Sequence, residues 1–216
     1  DLPIQVGWWR AVGYSINAFI VESFMDELAH AAGKDPLQFR LDHMEKGSRA
    51  YHILSMAAEK GGWNSPVPEG RARGIAVTAC FESFAAHMAE VSVDQNGSIT
   101  VHRMVCAIDC GTPVFPDAIR AQAEAGVVMG LSVAFHEKVS FADGGVKTSN
   151  YSDYRVLSMS EIPEIAVHIA QNNLKAGGIG EPVLPSVAPA VANAVFRATG
   201  VRLRELPFQT GLLAKG

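Results

Sequence analysis

The chain has 216 residues, 48% of them hydrophobic and 19% charged, enough for one large domain or two small ones with substantial cores. Its 22 acidic and 18 basic residues leave a net charge of −4 with no basic run, which argues against nucleic acid as a partner. No apolar stretch approaches the roughly 18 residues that span a bilayer, and the longest, Gly126 to Phe135, falls far short.

In chain order, the first predicted element is a helix over residues 15–32. Ser15 is its N-cap, Ile16, Phe19, Ile20, Phe24, Leu28 and Ala31 form its apolar stripe, and Gly33 stops it. Asp35-Pro36 pairs a cap with an N1 proline and starts a second helix reaching about Glu45. A third runs from about Arg49 to Lys60 and ends at Gly61-Gly62. Asn64-Ser65-Pro66 and Pro68-Glu69-Gly70 then read as a linker. The expected division is a helical section over 1–66 and an α+β section over 67–216.

Past the linker the pattern turns to strands. Gly74 to Cys80 and Ala85 to Asp94 alternate, Gln95-Asn96-Gly97-Ser98 makes a hairpin turn, and the return strand covers Ile99 to about Asp109. A long helix follows over about 117–135. Strands Glu137–Phe141 and Val146–Asn150 flank a turn at Ala142-Asp143-Gly144-Gly145, Pro163 to Ile169 reads as another strand, and a small-residue helix closes the pattern at about 186–199. The predicted class is α+β, with antiparallel hairpins and sheet and segregated helices.

The three cysteines, Cys80, Cys106 and Cys110, lack metal-site spacing and read as small buried hydrophobes. The seven histidines are scattered singly. Trp8, Trp9, Phe81 and Phe84 are candidates either for an aromatic pocket or for the core. Asp1-Leu2-Pro3-Ile4-Gln5-Val6-Gly7 shows no initiator Met and no signal-like regions. The expectation is that the chain is part of a longer polypeptide.

Gly177-Gly178-Ile179-Gly180-Glu181-Pro182 carries the most chemistry. Three glycines allow unusual backbone and close ligand approach, and Pro182 is expected to lead into the following helix, whose N-terminal end favours a negative charge. A carboxylate on such a turn suits a general base, although it also suits a mere charge at a helix end. The dinucleotide fingerprint is excluded, because Val183 stands where its third glycine would be. Ala188, Ala190, Ala192, Ala194 and Ala198 mark a helix packed closely against core or cofactor.

Four segments resemble one family: Gly7-Trp8-Trp9-Arg10-Ala11-Val12-Gly13, Asp26-Glu27-Leu28-Ala29 with Gly33-Lys34-Asp35-Pro36 to Arg40, Asp109-Cys110-Gly111 with Gln122-Ala123-Glu124-Ala125-Gly126, and Gly178-Ile179-Gly180-Glu181-Pro182. Together they resemble the C-terminal part of the molybdenum-binding subunit of the xanthine dehydrogenase/aldehyde oxidase family. The Trp-Arg-Ala-Val-Gly form is most similar to the isoquinoline 1-oxidoreductase beta-subunit branch. The resemblance covers essentially the whole chain.

It implies an oxidoreductase of aldehydes or N-heteroaromatic rings that uses water-derived oxygen, with a molybdenum–pterin cofactor whose metal takes no protein ligand. The cytosine dinucleotide form is among the forms it leaves open. Glu181 maps to the general base, and burial beside an apolar pocket is the expected means of tuning it. Arg10 and the backbone of Trp9, Ala11 and Val12 map to a loop contacting the cofactor. Gln122 maps to an amide that hydrogen-bonds the cofactor, and Gly178 and Gly180 belong to the turn. Asp109-Cys110-Gly111 is expected to be a structural strand end. The family's usual Asn-Pro after it is Phe115-Pro116 here, and its upstream cofactor segments are missing from these residues. The implied site is therefore incomplete.

Implied partners are the remainder of the molybdenum subunit, a [2Fe–2S] subunit and a flavoprotein or cytochrome acceptor, beside a small-molecule substrate. No iron–sulfur cluster or flavin is expected in this chain. The compartment stays open between periplasm and cytoplasm. The alternative is a non-catalytic fragment that packs against a larger subunit.

Overall fold

The computed structural model describes residues 6–214, so Asp1–Gln5 of the N-terminal stretch lie outside the described residues. Three helices come first: α1 (Gly13–Ala31), α2 (Pro36–Asp42) and α3 (Arg49–Gly61). Strands β1 (Arg71–Cys80), β2 (Ser83–Val93) and β3 (Ile99–Asp109) follow, then α4 (Pro116–Phe135). A small ribbon, β4 (Phe141–Ala142) and β5 (Gly145–Val146), precedes β6 (Glu164–Ile169) and α5 (Val187–Thr199).

The main sheet has the order β1-β2-β3-β6. Its first two pairings are antiparallel and the last, β3 with β6, is parallel. The α+β class holds, with one parallel pair that the hairpin pattern did not contain. Helices cover both faces of the sheet. On one side α5 lies on β1 and β2, with Phe19 of α1 and Ile119, Val127 and Leu131 of α4 in the same core. On the other, Ile53, Leu54 and Ala57 of α3 meet Ile75, Met88 and Val105.

Local signals explain most element ends. The Asp35 carboxylate accepts from the Leu37 and Gln38 N–H groups at 3.0 Å each, so the α2 cap forms as expected. Ser48 caps α3 through the Tyr51 N–H, and Gly62 ends it in a left-handed conformation. The alanines of α5 resolve as core, since Ala188, Ala190, Ala192 and Ala194 are buried and only Ala198 is exposed. Small residues are needed because a Cβ on Gly74 of β1 would sit 2.2 Å from both the Ala190 carbonyl oxygen and the Ala194 nitrogen.

Several expectations change. Helix α1 starts at Gly13, not Ser15, and its apolar stripe is not its buried face. Phe19 is buried, but Ile16, Ile20, Phe24, Leu28 and Ala31 are exposed, while Ala18, Glu22, Asp26 and Ala29 face the core. The buried charges are paired. Arg40, fully enclosed, donates to the Glu22 carboxylate at 2.9 Å and the Glu22 carbonyl at 2.8 Å, and Arg202 meets Asp26 at 2.7 Å. Helix α2 ends at Asp42 rather than near Glu45.

Strands β1 and β2 run closer together than their pattern suggested, joined by the two-residue turn Phe81-Glu82. Both residues are left-handed, at φ 49° and 62°, a turn normally written with Asn and Gly. Strands β4 and β5 are two residues each instead of five. Arg73 donates to the carbonyls of Gly62 and Ser65, which ties the linker segment to β1.

Candidate active site

The turn at 177–182 is held by three separate parts of the fold. The Gly177 N–H donates to the Cys110 carbonyl at the end of β3, at 2.8 Å. The Gly178 N–H donates to the Phe81 carbonyl in the β1–β2 turn at 2.9 Å, and the Ser83 hydroxyl donates back to the Gly178 carbonyl at 2.5 Å. Gly177 must be glycine for packing reasons, because a Cβ there would lie 2.6 Å from the Ser83 Oγ and 2.7 Å from the Glu82 carbonyl oxygen. Gly180 has neither a left-handed backbone nor a crowded Cβ position. What matters there is its carbonyl.

That carbonyl is gripped by Arg10, whose Nε donates to it at 2.8 Å and whose Nη2 donates to it as well. The same Nη2 reaches the Gln122 Oε1 at 3.2 Å and the Gln122 carbonyl at 3.4 Å. Next in the chain, the Ala11 N–H donates to Glu181 Oε1 at 2.7 Å. Arg10 and Ala11 from the loop before α1, Gln122 from α4, and Gly180 and Glu181 therefore converge. The arginine fork suits this, since it can satisfy a carbonyl and an amide oxygen at once.

The loop is fixed in turn. The Val12 N–H donates to the Trp9 carbonyl at 2.8 Å, and the Ser15 hydroxyl donates to the Arg10 carbonyl at 2.9 Å. Ala11 and Val12 are left-handed at φ 67° and 49°, a costly conformation for a β-branched residue. Among the described residues, five non-glycine positions have positive φ, and four of them (Ala11, Val12, Phe81, Glu82) contact or adjoin this turn. The fifth is Asp143 in the β4–β5 ribbon. Strained backbone is therefore concentrated around this turn.

Glu181 is half-buried. Its Oε2 accepts no hydrogen bond from the described residues, and the Nε2 of exposed Gln122 donates none to them. The helix α5 begins at Val187, with Pro182 in the preceding turns. The expected helix-end stabilisation of Glu181 is thus replaced by a direct hydrogen bond from Ala11. Burial pulls the Arg10 guanidinium below its ordinary pKa while the Glu181 charge opposes that. Burial, and then the same charge, pushes the Cys80 thiol up to about 12, so it stays protonated.

Asp109 supports the turn from behind. Arg49 meets its carboxylate with two bonds, at 2.9 and 2.7 Å, and the Gly111 N–H and the Asn172 amide add one each at 2.9 Å. Burial raises its pKa, but these donors outweigh that and hold it below the ordinary carboxylate value. The Asp-Cys-Gly segment falls at the end of β3, as expected, and its Cys110 carbonyl receives the Gly177 N–H.

Trp8 and Phe81 are exposed, Trp9 is half-buried, and Phe84 lies under the Arg49 guanidinium at 4.6 Å. An apolar cleft of about 520 Å³ opens beside the loop, lined in part by Trp9, Val12, Phe19, Leu184, Pro185 and Leu206. Ser83 and the Phe81-Glu82 turn brace the 177–182 segment; the sequence named Phe81 only as a candidate for an aromatic pocket or the core and offered no sign of this contact, because a serine at a strand start and a Phe-Glu pair carry no turn signal. Among the described residues no cluster of His, Cys, Asp and Glu could hold a metal ion.

The molybdopterin cofactor-binding domain family matches residues 19–163. The chain is 34% identical to isoquinoline 1-oxidoreductase subunit beta of Brevundimonas diminuta, over 97% of this chain and 27% of that protein. It is 33% identical to a membrane-bound aldehyde dehydrogenase [pyrroloquinoline-quinone] of Gluconacetobacter polyoxogenes, over 100% of this chain and 30% of that one. The fold matches the aldehyde oxidoreductase of Desulfovibrio gigas with a TM-score of 0.79 at 16% identity, over 96% of this chain and 42% of that chain. The chain spans less than a third of the length of these two curated relatives. With residues 19–163 of its 216 matched, the chain belongs to the molybdopterin cofactor-binding domain family.

Proposed function

We propose that this chain is the Glu181-bearing part of a molybdenum hydroxylase that oxidises an aldehyde or an N-heteroaromatic substrate, with Glu181 as general base. The observation that carries the reading is the Glu181 carboxylate itself. It is fixed through Oε1 by the Ala11 N–H, leaves Oε2 free among the described residues, and stands on a turn braced by Arg10. A base needs a held carboxylate with one oxygen able to accept a proton.

The residues fit a pterin-held metal. The exposed donors beside the turn are amide groups suited to a pterin and its phosphate. Gln122 Nε2 and the Gly180 N–H take no acceptor from the described residues. Gln122, Arg10, the backbone of Trp9 to Val12 and the turn at Gly178 and Gly180 would hold the cofactor, in its cytosine dinucleotide form or another. When bound, that cofactor supplies the two-electron redox chemistry and activates water-derived oxygen. Glu181 takes up a proton at Oε2, and Arg10 keeps the turn from moving as it does so. A [2Fe–2S] subunit and a flavoprotein or cytochrome would be the partners that accept its electrons. The remaining walls of the site come from the rest of the molybdenum subunit.

The test is Glu181→Gln in the complete enzyme. Glutamine retains an oxygen for the Ala11 N–H, so cofactor content and folding should stay close to the parent. Turnover should fall by on the order of 10²–10⁴, the range for losing a positioned base, with reduction by substrate as the slowed step. Substrate reduction at the parent rate would refute the assignment. Stoichiometric molybdenum and pterin without pyrroloquinoline quinone is the expected content, and a quinone in their place would overturn the cofactor reading.

A further inference from the structure

The face of β2 that packs under α5 is built from small residues, and one large polar side chain interrupts it. His87 stands between Ala85 and Ala89 on that face, and across the strands it meets Ala76 and Cys106. It is fully enclosed, and burial holds its pKa down at about 3, so the imidazole is neutral. A neutral imidazole carries one N–H and one lone pair. Its Nδ1 lies 2.8 Å from the Ser186 Oγ, while its Nε2 is buried without a partner among the described residues. A half-satisfied polar group of this kind is a cost that leucine in the same space would avoid.

Ser186 completes the pair. It occupies the N-cap position of α5, where a serine hydroxyl ordinarily accepts from the first N–H groups of a helix, yet its side chain makes no cap bond. The hydroxyl turns to the sheet instead, 2.8 Å from His87 and 3.4 Å from both the Ala85 carbonyl and the Thr78 Oγ1. Only four residues separate Ser186 from Glu181, and they are stiff. Pro182 and Pro185 fix φ at two of them. The Leu184 N–H donates to the Glu181 carbonyl, and the Val187 N–H to the Leu184 carbonyl, at 3.2 Å each. Pro182 to Ser186 are all buried. A displacement of Ser186 is therefore passed on to Glu181 rather than absorbed between them.

We propose that His87, acting through Ser186, is a positioning residue that sets where the Glu181 carboxylate stands. The inference rests on the assignment of Glu181 as the base. Upstream of Glu181 the turn is already anchored, by Gly177 on Cys110 and Gly178 on Phe81, and Arg10 and Ala11 hold it from the loop before α1. The bond between His87 and Ser186 is the polar anchor on the downstream side, where the other neighbours are apolar core residues such as Val183, Leu184 and Val187.

Three variants of the complete enzyme test this: His87→Leu, His87→Asn and Ser186→Ala. Leucine fills the space and removes the bond, whereas asparagine can place a polar atom near the Nδ1 position and keep it. His87→Leu should fold and melt close to the parent, because it also removes the unpaired nitrogen. Its kcat should fall about 10–100-fold, the effect of misplacing a reacting group by about 1 Å, while KM changes by less than about twofold. His87→Asn should recover most of that loss, and Ser186→Ala should add little to His87→Leu in a double-mutant cycle. Hydrogen exchange gives a readout without turnover: the Leu184 and Val187 amides should exchange at least about tenfold faster in His87→Leu. Should that variant fail to fold, Ser186→Ala supplies the same kcat and exchange measurements. A parent kcat, or equal losses in His87→Leu and His87→Asn, would overturn the proposal and leave His87 as core filling. If Glu181→Gln is reduced by substrate at the parent rate, the base assignment fails alone, and the exchange result still decides whether His87 holds the segment.

Discussion

Replacing Arg40 with methionine tests how α1 and α2 are locked to the sheet. Arg40 is fully enclosed and donates to the Glu22 carboxylate, the Glu22 carbonyl and the Pro36 carbonyl. The Glu22 carboxylate in turn accepts from the Val77 N–H of β1 at 3.1 Å. Methionine fills much of the space but leaves Glu22 buried without its counter-charge, a change that costs about 3–5 kcal/mol. For a chain of this size that corresponds to a melting temperature roughly 6–20 °C lower.

The loss should depend on pH, and its sign follows from Glu22. Burial raises the Glu22 pKa above its ordinary value of 4.5, and Arg40 acts in the lowering direction. A raised carboxyl binds more protons folded than unfolded, so stability falls as pH rises from about the ordinary value to the folded one. Removing Arg40 lifts the folded pKa further and extends that window upward. The destabilisation should therefore be larger at pH 8 than at pH 5, read by circular dichroism melts, and Glu22→Gln in the same background should recover part of it. A loss under about 1 kcal/mol, or one larger at pH 5, would refute the reasoning.

Two further substitutions probe the backbone. Gly74→Ala should be among the most damaging single-methyl changes, at about 3 kcal/mol or more, because its Cβ would sit 2.2 Å from backbone atoms of α5; a urea midpoint within error of the parent would contradict the packing. Glu82→Gly relieves a left-handed residue at φ 62° while keeping the carbonyl that accepts from Arg49. It should stabilise the chain by about 0.5–1 kcal/mol in thermal melts, and a lower melting temperature would show that the strain lies elsewhere.

Features that depend only on neighbouring residues were legible in the sequence. Asp35-Pro36 announces a helix start, Gly61-Gly62 a helix end and Asn96-Gly97 a hairpin turn, because capping and positive φ are settled within a few residues. The segments around Arg10, Gln122 and Glu181 were also legible, through their family resemblance and their order in the chain. What the sequence could not show is how they meet. That Arg10 spans Gly180 and Gln122, and that Ala11 rather than a helix end holds Glu181, depends on contacts between residues more than a hundred positions apart.

The same limit explains the misread elements. The Phe81-Glu82 turn carries no turn chemistry and exists because the pairing of β1 with β2, and the seat it offers Gly178, outweigh local preference. The α1 periodicity was real, but periodicity shows which residues share a face and not which face turns inward. Only the tertiary structure decided that, by enclosing Glu22 and Asp26 with Arg40 and Arg202, where paired charges could be buried, and leaving the apolar stripe outside.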